Sequence, residues 1–182
     1  MERDPIPLAV VAAAADAVRA YLRGGQSEAD GLVERMAASA ILLFEAFAGR
    51  MLIVREVRET LTAQARWTRT EATPVRSIDR VEGVPAEGSA FALPPGAYAI
   101  DLDAGGDGWV RVSLAGIAGR IRVTLTAGDC ADWESVPGPV AQGVVLLAAH
   151  MIEGRSTEDA PPSAVSALWR PYRRMRISGA VR

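Results

Sequence analysis

The stretch that decides the fold is residues 98–114, which read YAIDLDAGGDGWVRVSL. Apolar and polar side chains alternate on both sides of its glycine-rich centre, and this two-residue period indicates strands with one buried face. The centre, residues 104–108, has the composition of a tight hairpin turn, and the alternation returns at 121–125 after a second glycine-bearing turn at 115–119. The pattern therefore predicts an antiparallel meander. The side chains predicted on its buried face are Tyr98, Ile100, Leu102, Val110, Val112, Leu114, Ile121, Val123 and Leu125.

More strand-like sequence precedes this stretch. Residues 51–61 and 75–81 are rich in residue types that are enriched in strands, and Pro74 separates the two runs. We therefore predict that residues 51–132 form a β-rich insert.

Two helices are predicted before the insert, as a helical hairpin over residues 1–50. Residues 7–23 carry apolar side chains at three- and four-residue steps, which places them on one stripe of a helix. A second helix opens at a capping signal, Ser27 with Asp30, and ends at Gly49, a natural C-terminal cap. The predicted stripes are Leu8, Val11, Ala15, Val18 and Leu22 in the first helix, and Leu32, Val33, Met36, Ala40, Leu43, Phe44 and Phe47 in the second.

Two further helices are predicted after the insert, over residues 133–170. The third begins after Pro137 and Pro139, and the fourth begins at the Pro161-Pro162 pair, since proline suits the first turn of a helix. Pro171 stops the fourth helix. The predicted apolar contacts are Val140, Val144, Leu147, Ala148 and Met151 in the third helix, and Val165, Leu168 and Trp169 in the fourth.

These elements predict an α+β fold. A helical frame of about four helices carries a small antiparallel β-module inserted between helices 2 and 3. Residues 171–182 remain as an extended C-terminal arm, because Tyr172–Arg182 shows no obvious reason to fold against its own chain.

Charge divides unevenly along the sequence. Residues 1–154 hold 14 Arg and 20 acidic residues, giving −6, whereas residues 155–182 hold 6 Arg and 2 acidic residues, giving +4, and the sum is the net −2 of the chain. The acidic body predicts poor nonspecific DNA binding, because phosphate neutralisation needs clustered positive charge, whereas the basic tail suits an acidic protein surface. Neither a membrane span nor a secretory signal is recognised, so we expect a cytoplasmic protein with no membrane partner.

Catalytic and metal-binding constellations are hard to place in this sequence. His150, the single histidine, has apolar neighbours in the third predicted helix, which favours a partly buried or interface histidine. Cys130 lies between two aspartates, whose carboxylates would raise the pKa of the thiol and so reduce its reactivity as a nucleophile. The glycine-rich turn lacks the Gly-Lys-Ser/Thr ending of a P-loop, so a hairpin turn explains it better than a phosphate site. Asp101, Asp103 and Asp107 match no EF-hand spacing, which favours solvated strand and turn charges over a calcium site. We predict no enzyme activity, no catalytic or metal site and no cofactor.

The C-terminal arm is the candidate functional site. From Tyr172 onward cationic and apolar residues partly alternate, and Arg and Tyr are enriched at protein–protein hot spots. An extended segment of this kind can add a strand to the sheet edge of a partner. A frayed terminus is an equal alternative, and nucleic-acid contact is a further one. The candidate binding residues are Arg170, Tyr172, Arg173, Arg174, Met175, Arg176 and Ile177.

Four stretches occur in a characteristic order. They are AYLR at 20–23 with FEAFAGRMLI at 44–53; PVRSI at 74–78; VTLTAG at 123–128, followed by VP at 136–137, AAH at 148–150 and EGR at 153–155; and PSAVSALWRPYRRMR at 162–176. In this combination nearly the whole chain resembles the head–tail connector, or adaptor, family of long-tailed phages and phage-derived gene transfer agents. One departure is Trp169, which stands where a smaller aliphatic residue is usual.

The resemblance implies a dodecameric ring that docks beneath a capsid portal, with the arm reaching into the portal protein. It also implies a lumen with transient, non-specific contact to passing DNA, and a lower face that meets a stopper or tail-terminator protein. The ring would be assembled in the bacterial cytoplasm and lie at the head–tail junction of a phage or gene transfer particle. Two alternatives remain: a small cytoplasmic regulatory module whose basic tail contacts nucleic acid, and a hydrolase or metal enzyme that uses His150 or Cys130.

Overall fold

The computed structural model describes residues 1–22, 30–154 and 162–174, and within them the fold is α+β, as predicted. The predicted signals at Ser27 and Pro161 lie outside the described residues, as do Met175, Arg176 and Ile177 of the arm. In chain order the elements are β1 (Glu2–Arg3), α1 (Leu8–Tyr21), α2 (Asp30–Ala48), β2 (Arg55–Thr62), β3 (Thr68–Arg69), β4 (Val75–Pro85), β5 (Phe91–Ala92), β6 (Tyr98–Leu102), β7 (Gly108–Val112), β8 (Ala118–Ala127), α3 (Gly138–Glu153), α4 (Ser163–Trp169) and a 3₁₀ turn (Arg170–Tyr172).

The chain forms two compact units. The β-unit comprises Met1–Pro5 and Ile53–Asp129, and the helical unit comprises Ile6–Leu52 and the residues from Cys130 onward. Along the chain, strands β2 to β8 all lie between α2 and α3, which is the predicted insertion. No helix among the described residues is long and apolar enough to cross a bilayer.

Two antiparallel sheets make up the β-unit. The larger has the order β1-β2-β8-β4-β5, and the smaller has the order β3-β7-β6. The predicted β6–β7 hairpin is confirmed, but the meander is wrong in its third strand, because β8 leaves β7 and pairs with β2 and β4. The physical reason is burial: Ile121, Val123 and Leu125 of β8 enter a core with Val57 and Val81, and such packing overrides the preference for sequential pairing.

The smaller sheet buries less of its predicted apolar face than the alternation suggests. Val110 and Val112 of the middle strand β7 are buried, as predicted, whereas Ile100 is 46% exposed and Leu102 is 44% exposed. Both exposed side chains belong to β6, which is an edge strand. Leu114, also predicted to be buried, is 70% exposed because it lies beyond the end of β7.

The short strand β1 is a feature that the sequence did not reveal. Glu2 pairs with Arg58 and Arg3 pairs with Val57, and the backbone N–H of Asp4 donates to the carbonyl oxygen of Glu56 at 3.0 Å. The segment is too short and too charged to give an alternation signal. It covers the outer edge of β2.

Four helices pack in the helical unit. Helix α2 contacts α1, α3 and α4, and α3 contacts the other three. The predicted stripe of α3 is largely confirmed, whereas on α1 the predicted Leu8 is 85% exposed. On α2 the buried stripe passes through small residues that allow close helix approach, so Leu43, at 47% exposure, is turned outward. The buried residues of α2 are Val33, Ala37, Ala40, Ile41, Phe44, Glu45 and Ala48.

Candidate functional site

The first residues of the predicted arm pack on α2 of their own chain. The ring of Tyr172 lies edge-on to Phe44, with 6.5 Å between the ring centroids. The guanidinium of Arg173 lies over the Phe47 ring, 5.9 Å from its centroid, which is the geometry of a cation–π contact. Both contacts hold the chain against the C-terminal half of α2.

The C-terminal end of α2 supplies a backbone acceptor for the same segment. Gly49, with φ of 68°, follows the last helical residue, as the capping prediction requires. The buried carboxylate of Glu45 accepts the backbone N–H of Leu52 at 2.9 Å and holds the following turn. The carbonyl oxygen of Ala48 accepts the backbone N–H of Arg174 at 2.8 Å. The last carbonyls of a helix have no partner within it, so Arg174 satisfies one of them.

These contacts correct, for its first three residues, the prediction that Tyr172–Arg182 has no reason to fold against its own chain. Tyr172, Arg173 and Arg174 fold against their own chain, because the aromatic side chains of α2 offer them partners that the local sequence does not reveal. We call residues 170–174 the arm base; Arg170 within it is exposed. The remaining predicted binding residues belong to 175–182, outside the described residues.

Trp169 anchors the arm base in the helical unit. Its indole is 3% exposed and lies 5.3 Å from the Phe44 ring and 5.9 Å from the Phe47 ring, centroid to centroid. The indole Nε1 donates to the carbonyl oxygen of Val140 at 3.3 Å. Gly143 provides the space, because a Cβ there would lie 2.8 Å from Cδ1 and 2.9 Å from Cε2 of the indole. Gly143 therefore compensates for the large side chain at position 169.

An apolar groove of about 380 Å³ lies beside this anchor. Helices α2, α3 and α4 line it, with Leu43, Phe47 and Trp169 among the lining residues. Leu43 and Phe47 were predicted to be core residues of α2, and the groove explains why both keep exposed surface. An apolar surface thus adjoins the cationic arm base.

The two residues considered for catalysis occupy structural positions. His150 is half-buried in α3, as predicted, and its carbonyl oxygen accepts the N–H of Gly154 at 2.7 Å where the helix ends. Cys130 is buried, and its thiol donates to the carbonyl oxygen of Ser135 at 3.4 Å. In the same loop, hydrogen bonds from the side chain and the backbone N–H of Ser135 lower the pKa of Asp132. The loop is thus closed by its own polar groups.

The glycine-rich stretch is the turn of the β6–β7 hairpin, as predicted. The carboxylate of Asp103 accepts the N–H groups of Gly105 at 2.8 Å and Asp107 at 2.9 Å, and it also accepts the Trp109 indole N–H at 3.0 Å. The backbone donors that would bind a phosphate are therefore occupied. Asp107 is buried, and its Oδ2 lies 3.5 Å from Nη1 of Arg69 in an ion pair. This corrects the prediction that Asp107 is solvated. Among the described residues, no group of three or more His, Cys, Asp or Glu side chains could hold a metal ion.

Comparison with known proteins finds similarity in solved structures. No family model matches the chain, and no curated protein matches it. The neck of an empty gene transfer agent particle, computed with C6 symmetry, contains a chain with 26% identity and a TM-score of 0.74, and each chain is covered over 99% of its length. The virion of a native gene transfer agent particle gives the same values. The neck of a native particle, computed with C12 symmetry, gives 25% identity, 99% coverage of both chains and a TM-score of 0.73.

The class that fold and comparisons define is that of structural proteins of the neck of phage-like particles. The similarity extends over 99% of both chains, so it includes the β-insert and the helical frame together. The predicted resemblance to the head–tail connector family of phage-derived gene transfer agents is confirmed. The similarity supports a structural head–tail connector role in a ring oligomer at the head–tail junction, and it favours a structural role over an enzymatic one.

Proposed function

We propose that twelve copies of this chain form a closed ring beneath the portal of a phage-derived particle, and that the ring joins the capsid to the tail without catalysis. The observation that carries the proposal is the similarity, over 99% of both chains, to a neck structure computed with C12 symmetry. A ring needs a heterologous interface that closes by rotation, so each copy contributes two different faces.

The C-terminal arm is the proposed portal-binding element. Residues 171–182 hold four Arg and no acidic residue, giving +4, and this charge suits an acidic portal surface. The arm base fixes where each arm leaves the helical unit, and residues 175–182 supply the reach. One arm per copy makes docking multivalent, so weak single contacts add up to a stable joint. The proposed portal contacts are Met175, Arg176 and Ile177, and Arg170, Tyr172, Arg173 and Arg174 form the arm base that positions them.

The remaining parts of the proposal follow the division of the chain. The helical unit forms the ring frame, the β-unit forms the insert and takes Met1–Pro5 from the predicted 1–50 hairpin, and residues 171–182 form the arm. DNA passes through the lumen with transient, non-specific contact, since the acidic body does not hold phosphates. The lower face meets a stopper or tail-terminator protein. Assembly takes place in the bacterial cytoplasm.

Deleting residues 175–182 tests the arm mechanism, because the truncation leaves the arm base and all its described contacts in place. The truncated chain should remain folded, as judged by far-UV circular dichroism and a cooperative melting transition, and it should fail to sediment with portal particles. A matched control replaces the eight deleted residues with a Gly/Ser tail of equal length, which separates loss of contacts from loss of length.

The result decides between the functional hypotheses. Portal binding that is unchanged in the truncated chain would refute the arm mechanism. If the full-length chain does not bind portal particles and retards DNA in a gel in a salt-dependent manner, the connector hypothesis is wrong. The hypothesis of a nucleic-acid-binding regulatory module would then replace it.

A further inference from the structure

Strand β6 presents an unpaired backbone edge among the described residues. In the small sheet it pairs with β7 on one side, and the described chain places no strand on the other. The N–H of Ser113 donates to Ala97 and the N–H of Asp103 donates to Asp107, each to the backbone carbonyl oxygen. Every second residue of an antiparallel strand bonds to the same neighbour. Ala99 and Asp101 therefore face β7, and the backbone groups of residues 98, 100 and 102 point to the open edge.

The same three positions carry apolar side chains that the subunit covers incompletely. Ile100 is 46% exposed and Leu102 is 44% exposed, although both lie on the sheet face that buries Val110 and Val112 of β7. An added strand would extend this buried face and cover them. Exposed edges in folded proteins are normally protected by proline, charged side chains, a bulge or a covering segment. The sequence of β6, YAIDL, contains no proline, its pairing with β7 is regular, and Asp101 is its one charged residue.

The opposite face of β6 determines which strand fits. Asp101 is exposed on that face, and no ion pair of Asp101 is found among the described residues. The neighbouring cation, Arg111, lies over the Trp67 ring at 4.9 Å from its centroid. Two β6 edges brought together would place aspartates against aspartates, and like charges on paired strands are destabilising. The edge therefore selects a strand with apolar side chains on one face and cations on the other.

The C-terminal segment of this chain has that pattern. Residues 175–182 read MRISGAVR, with Met175, Ile177 and Val181 at odd positions and Arg176 and Arg182 at even positions. We propose that residues 175–182 of one copy add a strand to the β6 edge of a second copy, with their apolar side chains on Ile100 and Leu102 and Arg176 facing Asp101. This is β-augmentation, in which main-chain hydrogen bonds give affinity and alternate side chains give specificity.

The proposal rests on the proposed ring, which supplies one tail and one β6 edge per copy. If each tail binds the β6 edge of the next copy, the contacts run head to tail around the ring, as a heterologous interface requires. The β6 edge and the portal then compete for the same residues, so the edge holds the arm before a portal captures it.

Hydrogen exchange of the intact chain tests the pairing. The amides of Ile100 and Leu102 point to the open edge, so a peptic fragment over β6 should exchange at least about tenfold more slowly in the full chain than in the chain ending at Arg174. A synthetic peptide of residues 173–182, added to the truncated chain, should restore the protection. D101R should abolish it, and the pair D101R and R176D should recover it. E87R, an exposed acid in the β4–β5 loop, is the matched control and should change nothing.

The outcomes separate this inference from the proposed function. Equal exchange in the full and truncated chains overturns the inference, and portal binding measured in parallel still tests the arm. Protection that persists on strong dilution to monomers assigns the tail to its own subunit and overturns the second-copy pairing. Loss of portal binding on D101R without loss of the fold would also count against it, since freeing the arm should strengthen docking. If D101R does not fold, the test is the synthetic peptide added to the truncated chain. Protection of β6 by the peptide supports the pairing, and no protection overturns it.

Discussion

Replacing Gly143 with alanine should destabilise the helical unit, although glycine to alanine inside a helix normally stabilises. A Cβ at this position would lie 2.8 Å from Cδ1 and 2.9 Å from Cε2 of the buried Trp169 indole, too close for a carbon contact. The indole must shift, which breaks its hydrogen bond to the carbonyl oxygen of Val140. Because the indole supports the arm base, the change also loosens the attachment of the arm.

The magnitude follows from three opposing contributions. The helix preference for alanine stabilises by about 1 kcal/mol. Loss of the indole hydrogen bond costs about 1 kcal/mol. Overpacking a close-packed site costs about 1–3 kcal/mol. The net loss is therefore about 1–3 kcal/mol, and for a chain of this size each kcal/mol lowers the melting temperature by roughly 2–4 °C.

Urea unfolding followed by far-UV circular dichroism measures this loss. Gly138→Ala is the matched control, because it lies in the same helix and a Cβ there meets nothing within 4 Å. A second background, Trp169→Leu, removes the collision, so Gly143→Ala should be neutral or stabilising there, and the double-mutant cycle should show coupling. A Gly143→Ala protein as stable as the wild type, or a cycle without coupling, would refute the packing argument.

Two further predictions concern polar groups in the β-unit and the helical unit. The buried Glu59 carboxylate accepts two backbone N–H groups of the β3–β4 loop at 2.8 and 2.6 Å. Glu59→Ala should therefore cost about 2–5 kcal/mol in denaturant unfolding, and Glu59→Gln, which keeps one acceptor oxygen, should cost less; equal stabilities of the three proteins would contradict this. Ser135→Ala should raise the pKa of Asp132 part of the way toward its ordinary value, measured by NMR titration, because it removes the hydroxyl hydrogen bond, the largest cause of the lowering, and keeps the bond from the backbone N–H. Since the folded pKa is depressed, the associated stability is present above the ordinary aspartate pKa and disappears as pH falls through the folded value, and an unmoved pKa in the variant would rule out this cause.

The sequence predicted those parts of the fold whose signals are local. Alternation placed β6 and β7, and proline and glycine positions placed the ends of α2, α3 and α4. The partner of β8 was not predictable in this way, because the turn before it is compatible with a hairpin. Its pairing with β2 and β4 depends on which core buries Ile121 and Leu125, and that is a long-range property.

The candidate site shows the same division. The composition of the arm marked it as a binding segment, but the contacts of Tyr172 and Arg173 with α2 involve residues more than a hundred positions away. One signal was present in the sequence: Phe44 and Phe47 lie one helical turn apart, so their rings share a face of α2 that suits a cationic or aromatic partner. In the structure Trp169 packs against both rings.

The fixed arm base also bears on the strength of docking. Ordering one residue of backbone costs roughly 1–2 kcal/mol, so an arm with three residues already held on α2 docks at a cost roughly 3–6 kcal/mol lower than an arm in which those three are free. In a ring this saving applies to every arm, whereas a fully free arm would lose part of its contact energy to ordering at each subunit. The contacts of Tyr172, Arg173 and Arg174 with their own chain are therefore compatible with a docking arm and strengthen it. They reduce the number of arm residues whose backbone a docking partner would have to fix.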